Sequence, residues 1–398
     1  MKRILIIHHA KGLNGSLVAL LGLLNKLTPY YQIRVLCIYD SEAIDYIRDL
    51  GVDVVYCKHW FYKYVYRICE HTDTKYVTLY YVLMYIWSFI LYYVNALLFA
   101  PLLLKKYTVD IDLVYLNSVF LSDWALGAKR LKKKVILHVR EPFSHGIWGV
   151  RYYLFKYIIN RFTDTIIAIS RDNRDRIGLC EKSFVVYDDV VCSSKRTSGT
   201  ISLNKEYKYF LFLGGQARIK GFEQLVLALP YLASNIRIIF AGYIPINKVD
   251  TKIKKAFKVM LDPYYWRLEK LYLMLRTSPN VLLVGTVDNV LGYLDECHAL
   301  ISPFSKPHAS LPILEAFYIG KPVIVSDVLG MKEFVDYHTG CFFNNGNPRE
   351  LAIQINKLAE LSCEEIDHKY NSACKQRLSD IYSSSLPVHE IINKTFEC

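Results

Sequence analysis

The chain alternates short apolar runs with longer segments in which apolar positions recur at helical spacing. In the first half, RILIIHH at the N-terminus is followed by runs at Ile33 to Ile38, Val52 to Tyr56, Leu113 to Leu116, Val135 to His138, Thr165 to Ile169 and Phe184 to Tyr187. Read as strands with helices between them, these predict a parallel, doubly wound sheet. The first strand leads through KGLNGS, a glycine-containing turn, into LVALLGLLNKL, an amphipathic helix. Gly12 and Gly15 permit close backbone approach in that turn, and Ser16 is placed to cap the helix.

A second alternating pattern begins after the serine-rich, charge-mixed connector Ser193 to Lys205. YFLFLGGQARIKGFEQLVLAL (Tyr209 to Leu229) reads as strand, glycine loop and helix, with Gly214 and Gly215 opening the loop and Arg218 and Lys220 near its end. The most informative stretch, ISPFSKPHASLPILEAFYIGKPVIVSDVLGMKEFV (Ile301 to Val335), reads as an apolar strand, a polar loop, a short helix opening near Leu311, a turn at Gly320 and a second apolar strand. Its loop, with His308, Ala309, Ser310 and Leu311, falls outside the carboxyl end of a strand and faces a helix N-terminus, where free N–H groups suit phosphate. Glu315 sits in the first turns of that helix, able to accept hydrogen bonds from a ribose or sugar hydroxyl.

From Tyr76 to Leu104 no residue is charged, and Lys75 and Lys105-Lys106 bracket the run. That is longer than the ~20 residues a bilayer span needs. A single span, however, would put strands that must pair with one another in two compartments. Three readings stand: a helix inserted in one leaflet while packing on the first domain, a plain core helix, and a true span. Tyrosines such as Tyr80, Tyr81, Tyr92 and Tyr93 suit the leaflet interface, because each phenol needs a wet partner.

Composition narrows the classes. A chain of 398 residues with 53% hydrophobic content is enough for two ordinary cores. The net charge of +12 could suit nucleic acid, anionic lipid or phosphorylated substrates. The run KRLKKK (Lys129 to Lys134) reads as a solvated face, whereas Lys58 to Arg67 interleaves cations with Trp60, Phe61, Tyr62, Tyr64 and Tyr66. Interleaved aromatics and cations fit a membrane interface better than a nucleic-acid groove, so no nucleic-acid partner is expected. Ten scattered cysteines with no CxxC pair predict neither a metal site nor a disulfide framework, and imply a reducing compartment. Ile4 to Ile7 is too short for the apolar core of a secretory signal, which needs ~7–15 residues.

Four more candidates come from strand ends. Asn117 closes the strand in DIDLVYLNS, and His138, Arg140 and Glu141 close VILHVREPF. In this topology strand ends face the ligand crevice, where His138 could meet substrate hydroxyls, Arg140 a phosphate, and Glu141 either one.

The second half resembles the retaining nucleotide-sugar glycosyltransferases called glycosyltransferase family 4, collinearly from about Tyr209 to Glu360. LPILEAFYIGKPVIVSD looks like the family's helix bearing the second Glu of its two-glutamate motif, followed by Gly-Lys-Pro and a strand; Gly330, Glu333 and TGCFFNNGNPRELAIQINKLAE continue the match, and GTVDNVLGYLDECHALISPF precedes it. Lys220 aligns with the family's diphosphate-clamp lysine. Two departures stand out. The first motif glutamate falls at Pro307, and the clamp arginine position is taken by Gly215, with Arg218 near enough in the loop to substitute. Either backbone amides with His308 and Ser310 hold the donor sugar, or the donor is atypical, or activity is lost.

The resemblance implies the α/β GT-B fold: two Rossmann-like, doubly wound parallel-sheet domains facing a central cleft. The expected boundaries are an acceptor-side domain at 1–192 with the apolar segment 76–104, a linker at 193–205, a nucleotide-sugar-binding domain at 206–379, and a helix at 380–398 crossing back to the first domain. It also implies a retaining hexosyltransferase that uses a nucleotide diphosphate sugar as donor substrate, with no cofactor and no metal. Expected partners are a glycan or lipid-linked oligosaccharide acceptor and the cytoplasmic membrane leaflet, placing the protein in the cytoplasm on the inner face of the membrane, in cell-surface polysaccharide synthesis. A sugar-nucleotide epimerase of the same fold and a catalytically silent glycan- or transferase-binding partner remain as alternatives.

Overall fold

The computed structural model describes residues 1–9, 11–12, 14–69, 76–145, 149–192, 203–246 and 251–397. Residues 193–202 of the expected linker lie outside the described residues. The chain forms two compact units, one of Met1–His71, Leu83–Val191 and Tyr382–Cys398, the other of Thr72–Val82 and Cys192–Ile381.

The first unit is built on seven parallel strands: β1 (Arg3–His8), β2 (Gln32–Cys37), β3 (Asp53–Tyr56), β4 (Leu113–Leu116), β5 (Lys134–Val139), β6 (Thr165–Ala168) and β7 (Ser183–Val185), in the order β3-β2-β1-β4-β5-β6-β7. Side chains alternate across a strand, so a sheet covered on both faces must be apolar at every position. In β1, Ile4 and Ile6 enter one core with Val35, Tyr115, the Gly15–Leu27 helix and Ile391 and Ile392 of the C-terminal helix. Leu5 and Ile7 enter the opposite core with Val114, Leu137 and Trp124.

The chain's end is not one helix over 380–398. The helix Cys363–Ser383 stops, and Val388–Glu397 starts anew after Pro387, whose ring nitrogen has no proton for a helical bond. Tyr31 holds this last helix, its hydroxyl donating to Asn393 Oδ1 at 2.7 Å and lying 3.0 Å from the His389 carbonyl oxygen. Burial of Val388, Ile391 and Ile392 adds roughly 1.5–3 kcal/mol for each side chain.

The long apolar segment is a helix over Leu79–Tyr107, α-helical at Leu79–Val94 and Ala100–Tyr107 with a π-helical turn at Asn95–Phe99 between. Pro101 has no N–H to give, and the Leu97 carbonyl four residues earlier accepts from the Arg130 guanidinium at 2.8 Å instead. The π turn places Asn95 inward, where its amide donates to Asp123 Oδ2 at 2.8 Å and its oxygen accepts from the Tyr62 hydroxyl. Tyr66 donates to the same Asp123 oxygen at 2.7 Å, and the Tyr92 and Ser122 hydroxyls lie 2.9 Å apart. Gly127 lets the Ala125–Arg130 helix press backbone to backbone on the start of the Ala100–Tyr107 helix, just past this turn, since a Cβ there would lie 2.9 Å from Pro101 N.

The second unit carries six parallel strands, β8 (Lys208–Phe212), β9 (Ile236–Ala241), β10 (Val281–Gly285), β11 (Ala299–Ser302), β12 (Val323–Ser326) and β13 (Gly340–Phe343), in the order β10-β9-β8-β11-β12-β13. The expected boundary at 192 leaves out one excursion: 72–82 belongs to this unit, where Thr78 Oγ1 donates to the Leu261 carbonyl at 2.9 Å and the Tyr81 hydroxyl to Asp262 Oδ2 at 2.8 Å. Each sheet reverses its winding once, between β1 and β4 and between β8 and β11. In open parallel sheets that reversal opens the crevice in which ligands bind, outside the carboxyl ends of the two strands.

Candidate functional site

At the β1/β4 reversal of the first unit, polar side chains converge behind an apolar sheet. Asn117, immediately after β4, donates from its amide to His8 Nδ1 at 3.1 Å and accepts from Arg140 Nε at 2.8 Å. His138, in β5, receives the Tyr115 hydroxyl at 2.8 Å and an Arg140 N–H at 3.3 Å, both on Nδ1. With Nδ1 accepting in both rings, the neutral tautomer carries its proton on Nε2. Those Nε2 atoms of His8 and His138 are buried and meet no partner among the described residues. Burial, reinforced by the Arg140 charge, holds both imidazoles well below the ordinary range and brings His9 down to about 4. They are therefore neutral donors at physiological pH.

Two residues expected to meet substrate are already engaged. The Arg140 guanidinium, read as a phosphate partner, forms a buried ion pair with Asp188 besides its bonds to Asn117 and His138. Glu141 accepts from Ser118 Oγ at 2.7 Å and from the Val119 amide at 3.1 Å, closing the start of the Val119–Trp124 turn; burial pushes its carboxyl up to about 7. Ser16 is not the helix cap. Asn14 is, with its side chain accepting from the Leu17 amide at 3.0 Å, and Ser16 Oγ is buried without a partner among the described residues. A Cβ on Gly12 or Gly15 would meet nothing within 4 Å, so the space above this turn is open.

At the β8/β11 reversal of the second unit, the loop after β8 is shaped by glycine. A side chain on Gly214 would enter the Phe212 ring, Gly215 has φ +53°, and its amide donates to the Ala241 carbonyl at 3.0 Å. Gly221 has φ +86°, and a Cβ there would lie 1.6 Å from the Pro303 carbonyl oxygen. The loop is thus locked on the one that follows β11, with the Ser305 amide donating to the Ile219 carbonyl at 2.9 Å and Ser305 Oγ to that of Arg218 at 3.1 Å.

This lock fixes Lys220. Its ammonium has no hydrogen bond or ion pair among the described residues, and burial lowers its pKa. The Lys220 charge also reaches His308, whose pKa burial and that charge bring down to about 3. His308 stacks on Phe304 at 4.5 Å, with Nδ1 buried and unpartnered among the described residues. Arg218 turns toward Tyr264, its guanidinium carbon 5.8 Å from the ring centre. Ala309 and Ser310 are buried, and Ser310 Oγ lies 3.5 Å from Ser302 Oγ; the helix Leu311–Ile319 follows, with Glu315 buried in its second turn. Sequence reasoning did not single out His8, His9, Tyr115, Asp188, Gly221 or Ser305 as members of the two clusters. The signal for the first two lay in polar residues ending an apolar strand.

Residues 194–377 match the model of the family described as glycosyl transferases group 1. An uncharacterized glycosyltransferase of Methanocaldococcus jannaschii is 24% identical over 209 residues, 52% of this chain and 52% of that protein, so the match spans about half the length of the curated relative. Among solved structures, HepE of Anabaena in complex with UDP and glucose superposes with a TM-score of 0.70 at 16% identity, covering 99% of this chain and 100% of that one. TarM of S. aureus, a variant in complex with fondaparinux, α-GlcNAc-glycerol and UDP, gives 0.66 at 10% identity over the whole of both chains. Two parallel-sheet α/β units and these likenesses give the chain the GT-B fold, and with the family match over 194–377 they support a glycosyltransferase.

Proposed function

We propose that the protein transfers a hexose from a nucleotide diphosphate sugar to a glycan acceptor with retention of the anomeric configuration, working on a lipid-linked glycan of the cell surface at the inner leaflet of the membrane. The observation that carries this reading is Lys220, a partly buried ammonium with no ion pair among the described residues, fixed in the matched region next to His308. An unpaired buried cation is costly unless it meets an anion. When the anomeric C–O bond breaks, its electron pair leaves with the diphosphate, and a preorganised cation stabilises the charge that develops there. The start of the Leu311–Ile319 helix adds N–H groups to the same loop, and Glu315 is offered to the ribose. The acceptor hydroxyl bonds to the anomeric carbon on the face the leaving group vacates, and its proton passes to a departing phosphate oxygen, which gives retention. In the first unit, the Nε2 groups of His8 and His138, unpartnered among the described residues, are offered as donors to sugar hydroxyls.

Membrane association is supported by the long helix. Of its most apolar 18-residue window only 22% is buried, less than a core helix requires. Leu79, Leu83, Ile86, Trp87, Ile90 and Leu97 follow helical spacing along one exposed face, while Tyr92 and Asn95 on the other are hydrogen-bonded into the first unit's core. A helix so anchored lies along a leaflet rather than across a bilayer. Exposed Trp60 and Tyr64 beside lysines suit the headgroup level.

HepE binds UDP-glucose, which makes UDP the first ligand to try. Calorimetric titration of UDP should give affinities at least ~10-fold weaker in Lys220→Ala and Glu315→Ala than in the wild type. Equal affinity in all three proteins rejects the site.

A further inference from the structure

The second unit presents an amphipathic helix turned inside out. Lys252–Leu261 (KIKKAFKVML) has four lysines and no acid, and Ile253, Phe257 and Met260, spaced i, i+4, i+7 on one face, are 85%, 56% and 67% exposed. The opposite side meets the neighbouring helix Tyr264–Thr277 through polar groups: Lys255 pairs with Glu269 at 2.8 Å, and Lys258 bonds to the Tyr265 hydroxyl at 3.2 Å. That helix has an exposed row of its own, Trp266 and Leu273, with Lys270 Nζ 3.6 Å from the centre of the Trp266 ring. The C-terminal end of the lysine-rich helix is tied by Thr78 and Tyr81 to the start of the long apolar helix, where Val77, Leu79 and Tyr80 are also exposed. A soluble surface rarely keeps so much apolar side chain in water.

We propose that the Lys252–Leu261 helix is a second membrane anchor, lying in the headgroup plane of an anionic leaflet with Ile253, Phe257 and Met260 in the acyl region. The chemistry of the face selects this occupant. Lysines flank the apolar row without acidic residues in the same helix, a tryptophan with a cation over it stands on the next helix, and the apolar start of the 79–107 helix continues the surface. Such a pattern binds anionic lipid by apolar burial plus charge, each basic side chain adding to the partition. The proposal deepens the membrane-associated reading above and fails separately from it.

The test is flotation of the full-length protein with phosphatidylglycerol vesicles and with phosphatidylcholine vesicles. Wild type should float with the anionic vesicles, and a Phe257→Asp/Met260→Asp double variant should lose at least ~10-fold in partition while its UDP affinity and thermal midpoint stay unchanged. Both side chains are largely in water, so their replacement leaves the packed core intact. Full vesicle binding by this variant, with loss only in Leu83→Asp/Trp87→Asp, overturns the second anchor and leaves the first. Absence of wild-type flotation overturns both. Conversion of a wild-type dimer to monomer by the double variant, with flotation intact, would mark the face as a contact between copies and also overturn the proposal.

Discussion

Arg140 and Asp188 form an ion pair closed off from solvent, their side chains 5% and 13% exposed, between the end of β5 and the segment that leaves β7. The guanidinium also reaches Asn117 and His138, so one cation organises three elements around the β1/β4 reversal. Removing one partner of such a pair leaves a buried charge without compensation, at a cost of ~3–5 kcal/mol. Asp188→Ala should lower stability by about that much in urea titrations, and Arg140→Met/Asp188→Leu together by much less. A double variant as unstable as the single one would mean that shape, not charge, is what Asp188 supplies.

Two carboxyls, Asp123 fully buried and Glu141 partly buried, make stability depend on pH in the less common direction. Burial raises Asp123 from 3.8 to about 7, against the opposing hydrogen bonds of Asn95 and Tyr66, and raises Glu141 from 4.5 to about 7. A raised folded-state pKa means that the folded protein binds more protons than the unfolded one between the two values. The stabilisation is therefore complete below about pH 4 and is lost as pH rises through 7, on the order of 4 kcal/mol for Asp123 and 3 kcal/mol for Glu141. Thermal melts of Asp123→Asn should show a shallower decline from pH 5 to pH 8 than the wild type. Parallel curves would place the pH dependence elsewhere.

Gly127 tests the packing of the helix that follows the π turn. In an exposed helix, alanine is favoured over glycine by about 1 kcal/mol. Here an added methyl would stand 2.9 Å from Pro101 N and 3.1 Å from Ala100 C, both backbone atoms that cannot swing aside. The clash outweighs propensity, since overpacking costs about 1–3 kcal/mol. Gly127→Ala should lower the thermal midpoint, and Gly127→Val should lower it further; a rise in the alanine variant would mean the two helices slide apart freely.

The strands were legible because parallel sheets covered on both faces write themselves as unbroken apolar runs. Leu113–Leu116 lies where the run predicts, and the others differ by a residue or two at their ends. Lys220, Gly214 and Gly215 could be placed on the correct loop, since glycines between a strand and a helix have a local cause. Partners distant in sequence could not be read. Asp188 lies 48 residues from Arg140, and Asn95 lies 28 from Asp123, so nothing local announces either bond. The choice of Asn14 over Ser16 as cap turns on where the helix begins by two residues. The tie of Thr78 to Leu261 spans 183 residues and draws a segment of the first half into the second unit.

Lys220 sets function against stability. Its ammonium has lost water to burial and has gained no ion pair among the described residues, and the lowered pKa records that loss. Replacing it with an apolar chain of similar length removes a desolvated charge and keeps the packing, so Lys220→Met should stabilise the free protein by about 1 kcal/mol at pH 7. The gain should shrink above neutral pH, because the folded protein releases the Lys220 proton more readily than the unfolded chain and the wild type recovers as it does so. The same substitution removes the cation offered to the diphosphate, so UDP should raise the thermal midpoint of the wild type and leave that of the variant nearly unmoved. A less stable Lys220→Met protein would mean that the ammonium is satisfied within the fold. A stabilised variant that still gains from UDP would mean that the diphosphate lies elsewhere.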